Sequence, residues 1–87
     1  MLHLQELRQL RWVFLSNTQV TDAGMSRVGE LTALRYLELV NTRITDAGLE
    51  DLRGLTELRF LGLSNTQVTG TGVNKLKRSL PDLRTVR

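Results

Sequence analysis

Cysteine is absent from the 87 residues, proline and histidine occur once each, and four side chains are aromatic: one Trp, one Tyr and two Phe. The missing thiols exclude disulfides, thiolate metal sites and a cysteine nucleophile together, without fixing a compartment. The single histidine, His3, lies at the start of the sequence with no convergent acid or nucleophile beside it, and reads as a surface residue rather than a catalytic base. No run approaches the ~20 apolar residues of a membrane span. The opening MLHLQELRQLRW alternates apolar with polar and charged residues and lacks the apolar core of a signal peptide. The chain is accordingly expected to be cytoplasmic, without a membrane partner.

Paired acids are lacking as well. Glu50 and Asp51 are adjacent, which on a helix points them about 100° apart and prevents them from acting as an acid and base pair. Asp22 and Asp46 supply one carboxylate per TDAG segment, too few for a calcium loop with oxygen ligands at alternate positions. No enzyme activity, cofactor, metal or small-molecule substrate is expected.

With 40% hydrophobic and 24% charged residues, the chain has the composition of one ordered domain with one modest core. The net charge of +3 is concentrated at the end, where Lys75, Lys77, Arg78, Arg84 and Arg87 against Asp82 leave an excess of four positive charges.

The stretch SNTQVT occurs at 16–21 and again at 64–69, and halfway between, at 40–45, stands VNTRIT. This places the chain on a 24-residue period. Full units run over 7–30, 31–54 and 55–79, the third with one extra residue; 1–6 is the tail of a preceding unit and 80–87 a partial one. Apolar residues recur at fixed offsets, as in Leu31, Leu34, Leu37, Leu39, Ile44, Leu49 and Leu52. The spacing of two at Leu37 and Leu39 predicts a short strand with one buried face, and the spacing of three at Leu49 and Leu52 predicts a helical turn.

The pattern L-x-x-L-x-L-x-x-T-x-[VI]-T resembles the leucine-rich repeat, with Thr where that family usually carries Asn or Cys. TDAGL at 45–49 looks like bacterial members and, more distantly, like the cysteine-containing repeats of F-box adaptors. The resemblance implies an α/β solenoid, a right-handed superhelix with a parallel sheet on its concave face and short helices on its convex face. One such unit cannot bury its apolar face alone, so units stack with strands about 4.8 Å apart.

Within that frame Thr18, Thr42 and Thr66 are expected to tie down backbone groups at the turn, and Thr21, Thr45 and Thr69 to cap the helices, with Asp22 and Asp46 favoured by the helix dipole. Gly24, Gly48 and Gly72 fall in the first helical turn, where glycine costs ~0.5 to 1 kcal/mol, so their recurrence implies close approach or an unusual dihedral. The leucine of the leading tail, Leu4, and the partial unit LPDLRTVR offer no polar cap. That leaves open a longer array or end-to-end self-association.

If Leu37 and Leu39 point inward, the outward strand positions are Trp12, Tyr36 and Phe60 in one column and Phe14, Glu38 and Gly62 in the next. Beside them runs a column of Arg11, Arg35 and Arg59, with Arg84 assigned to it from the partial unit. Aromatic and arginine residues are the types most enriched at interface hot spots. The expected function is recognition of a protein partner of unknown identity through this face. A plainer reading has the rings stacking on one another beneath the arginines by cation–π contact, in a segment that only extends a longer array. A third takes arginines and rings as a nucleic-acid surface, against which the modest charge argues. Four strands would offer only ~400 to 700 Å², below the ~800 Å² per partner of a standard interface.

Overall fold

A computed structural model describes residues 9–87. His3, Leu4 and Leu7 lie outside the described residues. Four three-residue strands, β1 (Trp12–Phe14), β2 (Tyr36–Glu38), β3 (Phe60–Gly62) and β4 (Arg84–Val86), alternate with helices α1 (Asp22–Val28), α2 (Asp46–Leu49) and α3 (Gly70–Ser79). A 3-10 turn, Glu50–Leu52, continues α2. The strands pair in parallel in sequence order, Trp12 against Tyr36 against Phe60. The chain is thus an α/β solenoid with the sheet on one face, helices on the other and leucines between.

The spine forms because the same offsets fall inward in every unit. Leu34, Leu37, Leu39, Ile44, Leu52, Leu55, Leu58 and Leu61 have no exposed surface. The first unit is less enclosed: Val13, Leu15 and Val20 are only partly buried, and Leu10, at the offset of Leu34, is 36% exposed. Among the described residues every buried side-chain polar atom has a partner, as a dry core demands.

The threonine column does what was expected of it. Thr18, Thr42 and Thr66 each donate their hydroxyl to the carbonyl three residues back, Leu15, Leu39 and Leu63, at 2.6, 2.6 and 2.7 Å. Thr42 is itself buried, so an unpaired carbonyl there would carry a desolvation penalty.

Three asparagines exposed at the turns are structural as well. Asn17, Asn41 and Asn65 hold φ of 62°, 59° and 57°, the left-handed conformation that asparagine adopts more readily than other side chains. Their amides form a ladder between units: Asn41 Nδ2 donates to Asn17 Oδ1 at 2.7 Å, and Asn65 Nδ2 donates to Asn41 Oδ1.

A second ladder runs along the helix starts. Thr45 donates its N–H to Asp22 Oδ1 at 2.8 Å and its hydroxyl to Oδ2 at 2.5 Å. Thr69 does the same to Asp46, at 2.8 and 2.5 Å. Each aspartate therefore clasps the next unit, a role beyond the dipole contribution expected of it. Fixing the hydroxyl proton toward the carboxylate leaves a lone pair for the cap: Thr45 accepts from Ala47 N–H at 3.2 Å and Thr69 from Gly72 N–H at 3.3 Å. Thr21, without such an aspartate, makes no side-chain cap bond.

The glycine column follows from the clasp. A Cβ on Gly48 would meet Asp22 Oδ1 at 2.4 Å, and one on Gly72 would meet Asp46 Oδ1 at 2.1 Å. None of the described glycines has a positive φ, so close approach, not an unusual dihedral, accounts for Gly48 and Gly72.

Asp46 also sets an acid limit on stability. Hydrogen bonds from the Thr69 hydroxyl and then its N–H hold the carboxyl below its usual 3.8 against the opposing effect of burial, with lesser help from Arg87 and Lys75. The folded chain binds this proton more weakly than the unfolded one. The contribution is therefore complete above the unfolded pKa, about 4, and is lost as pH falls through it toward the lower folded value. Urea midpoints at pH 6 and pH 3 should fall further for the natural chain than for Asp46→Asn; equal falls would remove Asp46 from the acid limb.

Candidate functional site

The outward positions of the sheet carry all four aromatic side chains, placed there by the two-residue alternation of each short strand. One ring contact is diagonal, Phe14 with Tyr36, and the other joins register partners, Tyr36 with Phe60. Phe14 and Tyr36 have ring centroids 5.4 Å apart, tilted by 46°, and Tyr36 and Phe60 stack at 4.5 Å and 10°. Trp12, expected at the head of its column, stands apart from this stack and is 66% exposed; Phe14 is 65% exposed, while Tyr36 and Phe60 are half-buried. Trp12 and Phe14 are thus the exposed rings, and Phe14 alone of the two rests on the platform of the Tyr36–Phe60 stack.

Gly62 makes the platform close. A side chain there would press on Glu38 Cγ at 3.2 Å and Phe60 Cε1 at 3.4 Å. Its absence lets both lean across β3. Glu38, half-buried, is the one acidic group among the strand residues.

Arg11, Arg35 and Arg59 enter the ladder through their backbones. The Arg11 carbonyl accepts from Arg35 and Tyr36 N–H, and the Arg35 carbonyl from Arg59 and Phe60 N–H. Their side chains are exposed. Arg59 turns Nη1 onto the carbonyls of Thr56 and Leu58 at 3.0 and 3.3 Å. The rings of this face meet one another rather than an overlying guanidinium.

Arg84 requires a correction. Counting from the leucines puts it below Arg59, yet the sheet pairs it with Phe60, and Val86 with Gly62. Leu83 N–H bonds the Leu80 carbonyl as Leu58 bonds Leu55, so the leucines keep the longer third unit. That unit spends its extra residue in the ten-residue α3, and the chain recovers it between Leu83 and β4. A one-residue slip exchanges the two faces of a strand. Arg84 therefore ends the aromatic row, and Val86 stands outward with half its surface exposed.

The convex side carries a groove of about 540 Å³ between α2 and α3 that sequence reasoning missed, lined among others by Glu50, Arg53, Lys75 and Arg78. Glu50 takes both Lys75 at 3.3 Å and Arg53 at 3.5 Å. These exposed pairs contribute little to stability. The signal for this groove lay in charges on different units, which no single unit displays.

A family model described as Leucine rich repeat matches residues 3–68. The chain belongs to the leucine-rich repeat family. Such domains generally mediate protein–protein interaction and are generally not enzymes. No curated protein matches this leucine-rich repeat chain. Among solved structures it is similar to the leucine-rich repeat protein LIC12759 of Leptospira interrogans, with a TM-score of 0.74 and 23% identity over 94% of this chain and 20% of that one. It is also similar to a chain of the Mex67:Mtr2 subunits of Chaetomium, with a TM-score of 0.71 and 21% identity over 93% of this chain and 55% of that one. At these identities the likeness concerns the fold. The leucine-rich repeat chain spans about a fifth and about half of these two neighbours. None of its described helices is long and apolar enough to cross a membrane.

Proposed function

We propose that this leucine-rich repeat chain, one domain divided into units 7–30, 31–54, 55–79 and the partial 80–87, captures a protein partner through its concave sheet. The observation that carries the reading is the contiguous ring surface, in which Phe14 rests on the Tyr36–Phe60 stack and Trp12 stands exposed beside it. Contiguous exposed aromatics on one face of a domain mark interaction sites more often than scattered ones do, and Trp, Tyr and Arg supply most hot-spot energy. Trp12 and Phe14 are the anchors, Tyr36 and Phe60 the support, Arg11, Arg35 and Arg59 the polar flank, and Glu38 the central acceptor.

Alanine at Trp12 or Phe14 should weaken capture by about 2 kcal/mol each, roughly thirtyfold, and move stability by no more than about 0.5 kcal/mol. The check is quantitative pull-down of crosslinked partners alongside urea melts, with Lys77→Ala on the convex side as control. Partners retained by both ring variants would sink the reading.

A second reading, in which these units only extend a longer array whose binding site lies elsewhere, is favoured by the chain spanning about a fifth of one structural neighbour and about half of the other. End-to-end association of two copies would appear as a doubled mass in light scattering of the natural chain.

A further inference from the structure

We propose that the partner segment received by the concave face presents an apolar side chain followed by carboxylates, the apolar group resting on the rings and the carboxylates on Arg84 and the arginines beside it. This rests on the concave-face reading and adds the chemistry of the occupant.

The register is the first argument. Trp12, Tyr36, Phe60 and Arg84 are paired in one row across four strands. Three rings are therefore followed, one strand spacing of about 4.8 Å further on, by a guanidinium. A ligand crossing the strands meets apolar surface and then a planar cation.

Charge is the second. Arg11, Arg35, Arg59 and Arg84 are all exposed, and the ion pairs among the described residues are both made by Glu50 on the convex side. An apolar partner lying over these guanidinium groups would strip their water without replacing it, which is costly. Carboxylates return the lost hydrogen bonds, two at a time in the fork geometry of arginine.

Glu38 decides between carriers of negative charge. It is half-buried on β2, paired with Phe14 on one side and Gly62 on the other. A phosphodiester backbone crossing the rings would pass a fixed negative charge there. A peptide can offer Glu38 a backbone N–H and keep its carboxylates for the arginines, so the observations favour a protein segment over a nucleic acid.

The test is selection from a phage-displayed random peptide library on the immobilised natural chain and on Arg84→Glu, with affinities of the enriched peptides read by titration calorimetry. Enriched sequences should carry Asp or Glu within about three residues of an aromatic or aliphatic residue. Arg84→Glu should weaken them roughly tenfold or more, Arg84→Gln less, and exchanging the peptide acid for Lys should restore binding to Arg84→Glu. Urea melts of both variants confirm that they fold. Binders without acidic bias, or indifferent to Arg84→Glu, overturn the inference. If those binders are still lost on Trp12→Ala and Phe14→Ala, the concave-face reading survives alone; if they are indifferent to every variant, or none is selected, both fail. An oligothymidine that binds more tightly than any selected peptide and is lost on Arg84→Glu would replace the protein segment with single-stranded nucleic acid.

Discussion

Gly72→Ala is expected to destabilise the chain by about 2 to 3 kcal/mol, although alanine is the better helix former at an ordinary helical position. The added Cβ would lie 2.1 Å from Asp46 Oδ1, 2.3 Å from its Cγ and 2.9 Å from its Cβ. A flexible carboxylate could swing away at little cost, but this one is fixed by the N–H and hydroxyl of Thr69. Moving it breaks two hydrogen bonds to an ionised group and releases the hydroxyl that caps α3 through Gly72 N–H.

Two comparisons isolate the cause. Gly54 has nothing within 4 Å of an added Cβ and no positive φ. Gly54→Ala should therefore be neutral or stabilising by about 0.5 kcal/mol. Asp46→Gly removes all three of these atoms, so adding Gly72→Ala to it should cost almost nothing more. Strictly additive costs in this double-mutant cycle would show that the clasp is not what excludes a side chain at position 72.

The spine and the strands were legible because a 24-residue period repeats the same inward offsets, and burial is a property each unit displays by itself. The helix-start glycines were legible as an anomaly, a poor helix former kept three times, though what approached them was not. What escaped were relations between units. Asp22 reads as an ordinary first-turn acid until Thr45 of the next unit is set beside it. Asn17, Asn41 and Asn65 recur in register, and asparagine is the side chain most at ease in the left-handed region, but the bonds that join their amides lie between units. Arg84 escaped for another reason: a third unit with one extra residue allows two alignments, one counted from leucines and one from strand pairing, and only the sheet chooses between them. The candidate face was legible as a set of residues, but not the arrangement in which Phe14 rests on the Tyr36–Phe60 stack and Trp12 stands exposed apart from it.

The asparagine ladder leads to the second large effect, an ordered series at position 41. Asn41 holds φ of 59°, donates to Asn17 and accepts from Asn65. Asn41→Gly keeps the dihedral and loses both ladder bonds, which at an exposed site should cost about 1 kcal/mol. Asn41→Ala adds the strain of an L-residue in the left-handed region, another ~1 kcal/mol. Asn41→Val adds β-branching to that strain and should reach about 3 kcal/mol. Urea unfolding of the three variants checks the order, and equal costs for Gly and Val would mean that the dihedral is not what selects asparagine. Asn17→Gly, which gives up one ladder bond where Asn41→Gly gives up two, should cost about half as much. The turn lies beyond the outward rows of the sheet, so partner binding by folded Asn41→Gly should match the natural chain. A weakened affinity at full folding would mean that the turns, as well as the strands, shape the concave face.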